Sequence, residues 1–285
     1  MRGRLAVSLA VLTLSACSGA AATSEPADSS TATSDTTVAD QNDGAPTDVA
    51  TLPPSELHTR LIDAAWDNDV ERARQLIDAG ADVNATGDDR QSAYLIATSE
   101  GYLDLLELTL RNGADVRALD RFNGTGLMRA AERGHADVVG RLLQTDIDVD
   151  HINNLGWTAL HEAIILGQYT QQYVDTVRLL IAGDADVTLP SQRDDVAPLQ
   201  LARDKNYHEI ATTIEATADG PDIDDPDAAL LDAAVSGDAD GAALAIRNGA
   251  DLDASGTAGR TALQRADAGG HDDVVRLLAA LGAEN

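Results

Sequence analysis

The chain has 285 residues, 44% apolar but only 3% aromatic, enough for one large domain or two ordinary ones with an aliphatic core. It carries 48 acidic against 20 basic side chains, a formal charge of −28, and 38 of the acids are Asp. That excess repels nucleic-acid phosphates and anionic lipid surfaces, and a single cysteine excludes internal disulfides and Cys-rich metal centres.

In chain order, Met1-Arg2-Gly3-Arg4 precedes an apolar run from Leu5 to Leu14, then Ser15-Ala16-Cys17. Two cations ahead of about ten apolar residues match a secretory signal, and a helix of that length reaches roughly 15 Å, half of a bilayer core. Leu14-Ser15-Ala16-Cys17 resembles the lipoprotein box of bacterial exported proteins. The resemblance implies removal of residues 1–16, lipidation of the Cys17 thiol, and an extracytoplasmic chain held at the cell membrane by its acyl chains. The plainer alternative is a cleavable signal that happens to contain a cysteine. Residues 17–56 hold Ser, Thr, Ala, Asp, Gly and Pro with no Lys or Arg, so they are predicted to be a disordered acidic linker.

From Leu57 onward the sequence repeats. Thr59, Ser92, Thr125, Thr158, Ala197, Ala228 and Thr261 occupy equivalent helix-starting positions, at spacings of 33, 33, 33, 39, 31 and 33. The hydroxyls among them are placed to accept backbone N–H groups at helix starts. Alanine pairs such as Ala130-Ala131 allow close helix approach, and Gly101, Gly134, Gly167, Gly237 and Gly270 mark turns into a second helix. Leucine pairs such as Leu142-Leu143 bury that helix, and Gly80, Gly113 and Gly249 supply left-handed stops. No unit buries its apolar face alone, so the units must stack. The fourth unit carries four extra residues around Gln168 to Tyr173. Residues 57–218 hold five units, and 219–285 an acidic connector and two more. Two units are too few to fold alone, so they are expected to dock on the array, with a bend near residue 220.

Thr158-Ala159-Leu160-His161-Glu162-Ala163, Ala130-Ala131-Glu132-Arg133-Gly134-His135 and Leu76-Ile77-Asp78-Ala79-Gly80-Ala81-Asp82-Val83-Asn84-Ala85 carry the pattern most fully. It resembles the ankyrin repeat. That resemblance implies an all-α solenoid of about seven helix–turn–helix repeats with β-hairpin tips. It also implies a protein-binding groove formed by tips and first helices. The stretches around Asp120–Thr125 and Asn153–Gly167, and Pro198-Leu199-Gln200-Leu201-Ala202-Arg203, look like bacterial extracytoplasmic ankyrin proteins. One type of these supports an antioxidant enzyme.

Catalytic chemistry has no foothold in the residues: there is no phosphate loop, nucleophile elbow or zinc-protease motif. His135, His161 and His271 sit at structural positions of the repeat, and the Asp146–Asp150 and Asp222–Asp227 runs lack an EF-hand's glycine and terminal glutamate. No metal or cofactor is expected.

On the implied groove the alignment places Trp66, Arg121, Phe122, Arg129, Arg133, Leu155, Trp157, Ile165 and Leu166 as candidate partner-binding residues. They include both Trp and the single Phe of the chain, and aromatics and arginine dominate interface hot spots. The alternative is that Phe122 and Trp157 pack as local core. Between Arg111 and Arg141 six arginines face four acids, a net +2. This island is either a cationic patch that orients a partner or a set of arginines paired with neighbouring acids. The resulting expectation is an extracytoplasmic, lipid-anchored protein that binds a protein of unknown identity and no nucleic acid. It would serve as scaffold, companion or inhibitor. The alternatives are a structural envelope component or a protector of an extracytoplasmic antioxidant enzyme, and less so a hydrolase or small-ligand binder.

Overall fold

Helix starts in this chain follow from hydroxyl placement. In the computed structural model, which describes residues 49–218, 220, 223–256 and 259–284, Ser92, Thr125, Thr158 and Thr261 each cap a helix through the side-chain oxygen. The expected signal segment, Cys17 and residues 17–48 of the linker lie outside the described residues. Two positions differ from the alignment. Thr59 lies inside a helix and donates to Ser55 O, and Ala228 lies in a first turn whose cap is Asp225. Both helices begin with proline at the first turn, where its missing N–H is harmless, so each starts earlier than the threonine-capped helices.

Fourteen α-helices form seven helix–turn–helix pairs among the described residues. The first helices are α1 (Pro54–Trp66), α3 (Ala93–Glu100), α5 (Gly126–Arg133), α7 (Ala159–Ile165), α9 (Pro198–Asp204), α11 (Pro226–Ser236) and α13 (Ala262–Gly269). Their partners are α2 (Val70–Asp78), α4 (Leu103–Arg111), α6 (Ala136–Leu143), α8 (Gln171–Ala182), α10 (His208–Ala218), α12 (Ala239–Arg247) and α14 (Asp272–Ala280). Among the described residues, apart from one antiparallel bridge between Ser255 and Thr261 in the last repeat, the expected hairpin tips are turns. Asp120 N–H closes one on Gly124 O at 2.9 Å, and Asn153 N–H closes the next on Trp157 O at 3.0 Å. Asn154 N–H then ties the second tip to Phe122 O of the first at 3.0 Å.

Small residues set the stacking distance. A Cβ on Gly101 would stand 2.6 Å from the His135 ring, whose Nε2 instead bonds Ser99 O at 3.1 Å. Gly237 and His271 repeat the arrangement. In the fourth repeat the extra residues replace histidine with Tyr173, whose hydroxyl donates to Glu132 O at 3.0 Å and whose ring covers Gly134. Gly167 does not take the left-handed turn of its counterparts. It is pressed against Tyr173, and its carbonyl accepts from Tyr207. Tyr169 stacks on Tyr207 with centroids 5.0 Å apart, fastening the insertion to repeat five.

The first helices run in one row, α1–α3–α5–α7–α9, while α11 and α13 form a second row. The second helices of the last two repeats pack back-to-back on those of repeats three and four: α12 on α8, and α14 on α6 and α8. Gly140 of α6 permits this, since a Cβ there would meet Ala280 O at 2.4 Å. Arg178 of α8, only 6% exposed at its side chain, bonds Asp240 of α12 at 2.6 Å and Glu209 of α10 at 2.8 Å. Arg276 of α14 reaches back to Asp175 of α8 at 2.7 Å, and Arg247 of α12 caps Ala185 O at 2.8 Å.

Candidate partner-binding groove

The face built from tips and first helices narrows to a pocket between repeats three and four, with a volume of about 180 Å³. Its apolar walls are Phe122, Leu155, Leu166 and Met128. Phe122 and Leu166 are each 47% exposed and line the same pocket, so together they present a contiguous apolar surface at its mouth. Arg121 lies over the Phe122 ring, 4.8 Å from its centroid.

The floor is polar and buried. Asp120 Oδ1 accepts the N–H groups of Phe122 at 2.7 Å and Gly124 at 2.8 Å, holding the tip that carries Phe122. Asn153 does the same in the next tip, its Oδ1 accepting from Leu155 N at 2.9 Å and Trp157 N at 3.1 Å. Its amide nitrogen donates to Glu162 Oε1 at 2.7 Å. Glu162 is 6% exposed, and its Oε2 has no hydrogen-bond donor among the described residues. Burial, reinforced by the Glu132 charge, pushes its carboxyl up to about 7, against the pull of Arg129. Arg129 itself is held between Glu132 and Asp120. Beneath the floor, His161 Nδ1 accepts the Thr158 N–H at 3.2 Å, and burial lowers the pKa of the ring.

Residues 94–191 match the family model for ankyrin repeats in three copies. An ankyrin repeat domain from Acinetobacter baumannii AYE, solved at 1.00 Å, is 44% identical over 55% of this chain and 79% of that one, with a TM-score of 0.53. The ankyrin repeat protein EF0377 is 35% identical over 59% of this chain and 86% of its own, with a TM-score of 0.54. No match is found among curated proteins. The chain belongs to the ankyrin-repeat family.

The ankyrin repeat is a protein-interaction module and typically a non-enzymatic scaffold. Of the residues that the sequence proposed for its groove, Phe122, Arg129, Leu155 and Leu166 line this pocket. Arg121 borders it through Phe122. Trp157 is half-buried, its indole N–H without an acceptor among the described residues, and Ile165 is half-buried beside Leu166. Trp66, 44% exposed, ends α1 two ankyrin repeats away and joins none of these. Arg133 is exposed and pairs with Glu100 at 2.7 Å.

Most of the arginine island is paired: Arg117 meets Asp146, Arg129 meets Glu132, Arg133 meets Glu100 and Arg141 meets Glu107. Arg111 instead donates to the Glu107 carbonyl and Arg121 lies over the Phe122 ring, so the island is reduced to these two rather than forming a continuous cationic patch. The pocket's polar character is acidic instead, from Asp120, Glu132 and Glu162. Sequence reasoning missed Glu162 as a site residue. The signal was a charged residue between His161 and Ala163, both on the helix face that the ankyrin pattern buries.

Proposed function

We propose that this chain is a lipid-anchored, extracytoplasmic ankyrin protein that holds another protein in its groove, acting as scaffold, companion or inhibitor. The observation that carries the reading is the pocket between repeats three and four. There the exposed Phe122 and Leu166 flank the polar floor of Asp120, Asn153 and Glu162. Exposed anchors around a desolvated centre are the arrangement in which a few side chains supply most of a binding energy. The anchoring half of the proposal rests on the apolar run Leu5 to Leu14 and on Leu14-Ser15-Ala16-Cys17.

The groove is tested by affinity capture from membranes with the native protein and a Phe122→Ala/Trp157→Ala double variant. Loss of specific partners in the variant supports the reading, and full retention of them overturns it. Cys17→Ser is expected to leave the chain unlipidated and to release it or trap its precursor. Unchanged membrane fractionation overturns the anchor.

A further inference from the structure

We propose that the pocket between repeats three and four takes a basic side chain, an arginine or lysine, of the protein held in the groove. The inference rests on the groove being the binding face, and it names the chemistry that the face selects.

Charge balance points to a cation. Asp120, Glu132 and Glu162 line the pocket against the single guanidinium of Arg129. Asp120 is satisfied by its own tip's N–H groups, and Glu132 by Arg129. Glu162 is the exception. It forms no ion pair among the described residues, and Oε2 lies buried without a donor, although the residue is only 6% exposed. A buried acceptor left bare is destabilising, and an incoming N–H donor removes the penalty. Arg129 Nε also lacks a hydrogen bond, but it sits 3.7 Å from Asp120 Oδ2 and so keeps a counter-charge.

The shape agrees. Phe122, Leu155 and Leu166 offer apolar wall to the methylene stem of a long side chain, and the floor offers carboxylate to its head. About 180 Å³ suits a single side chain. Arg121 already lies over the Phe122 ring, 4.8 Å from its centroid, so an incoming cationic head is met by the carboxylates of the floor and not by that ring. A carboxylate or phosphate group would face three acids. An apolar group would seal Glu162 Oε2 away from any donor.

A pH signature follows from the groups that face Glu162: Glu132 and Arg129 on α5, Asp120 in the repeat-three tip, and the uncharged Asn153 in its own tip. Glu162 titrates near 7, and a bound cation favours its ionised form, so binding releases a proton below that pH. Affinity then rises up to about tenfold per pH unit below 7 and levels off above it.

The test titrates the full chain with N-acetyl-arginine N-methylamide, and separately with the neutral citrulline analogue and N-acetyl-glutamate. The Glu162 side-chain carboxyl is followed by carbon NMR between pH 5 and 8. The arginine probe is expected to bind, to lower the Glu162 midpoint, and to outbind citrulline by at least about tenfold at pH 8. Glu162→Gln keeps an acceptor for Asn153 and is expected to fold, to lose at least about tenfold in arginine affinity, and to lose its pH dependence. Equal binding of arginine and citrulline, preference for the glutamate probe, or undiminished arginine binding by Glu162→Gln overturns the proposal. If the arginine probe fails while Phe122→Ala/Trp157→Ala still loses captured partners, the basic side chain is wrong and the groove stands. Unimpaired capture by that variant overturns the groove itself.

Discussion

Asn153 donates its side-chain amide to Glu162 Oε1 at 2.7 Å, and one repeat earlier the same two positions hold Asp120 and Arg129, 3.7 Å apart. In both repeats the tip residue also ties down its own turn, so one side chain fixes a tip and meets the neighbouring helix. The exchange of Asp–Arg for Asn–Glu leaves the fourth repeat with a buried acid and no cation. That substitution makes the pocket floor acidic.

Because its folded pKa is raised to about 7 from an ordinary value of 4.5, Glu162 binds a proton more tightly in the folded chain than in the unfolded one. Its contribution to stability is therefore complete below 4.5 and is lost as pH rises through 7. The loss amounts to roughly 3 kcal/mol. Glu162→Gln is expected to match the native protein in urea denaturation near pH 4.5 and to exceed it above pH 7. Parallel curves for the two proteins across that range would show that Glu162 ionises normally.

Gly140 is the close-approach residue between α6 and α14. Alanine favours a helix over glycine by about 1 kcal/mol, so propensity alone predicts that Gly140→Ala stabilises the chain. The back-to-back docking predicts the opposite, a loss on the order of 1–3 kcal/mol from overpacking against Ala280. Hydrogen exchange is expected to show reduced protection in α12 and α14 while α1 to α4 remain protected. A stabilised variant would contradict the docking.

Arg178 joins α8 to α10 and α12, with Asp175 and Asp273 each 3.7 Å from its second guanidinium nitrogen. Its removal leaves Glu209 of α10 and Asp240 of α12 without their cation, while Asp175 and Asp273 keep Arg276. Arg178→Met is expected to destabilise the chain by about 1–3 kcal/mol, the scale for losing hydrogen bonds to charged groups, because the carboxylates it abandons are part-exposed. Proteolysis is expected to accelerate in the connector between α10 and α11. A purely local effect would leave cleavage there unchanged.

Much of the architecture was legible because its determinants are local. A hydroxyl three residues ahead of a free N–H, a glycine where φ must be positive, and alanines that let helices approach all recur within one repeat. The expectation failed at Thr59 and Ala228, where proline at the first turn moved the helix start forward. The pocket was half legible. Phe122, Arg129, Leu155 and Leu166 follow from repeat position, whereas the charge of the site does not. A net count of arginines against acids says nothing of which acid each arginine meets, and Arg133 meets one 33 residues away.

By itself the sequence determined the repeating unit, since each repeat contacts chiefly its neighbours and the pattern is short-range. Only the tertiary structure decided that repeats six and seven turn back onto repeats three and four. That contact is made by Arg178, Arg276, Gln144 and Gly140 with partners 62 to 140 residues distant. Charged and small residues on a second helix read as a solvated face until a second layer of helices covers them. The same long-range reason holds for Glu162, whose buried oxygen acquires meaning only when two adjacent repeats close around it.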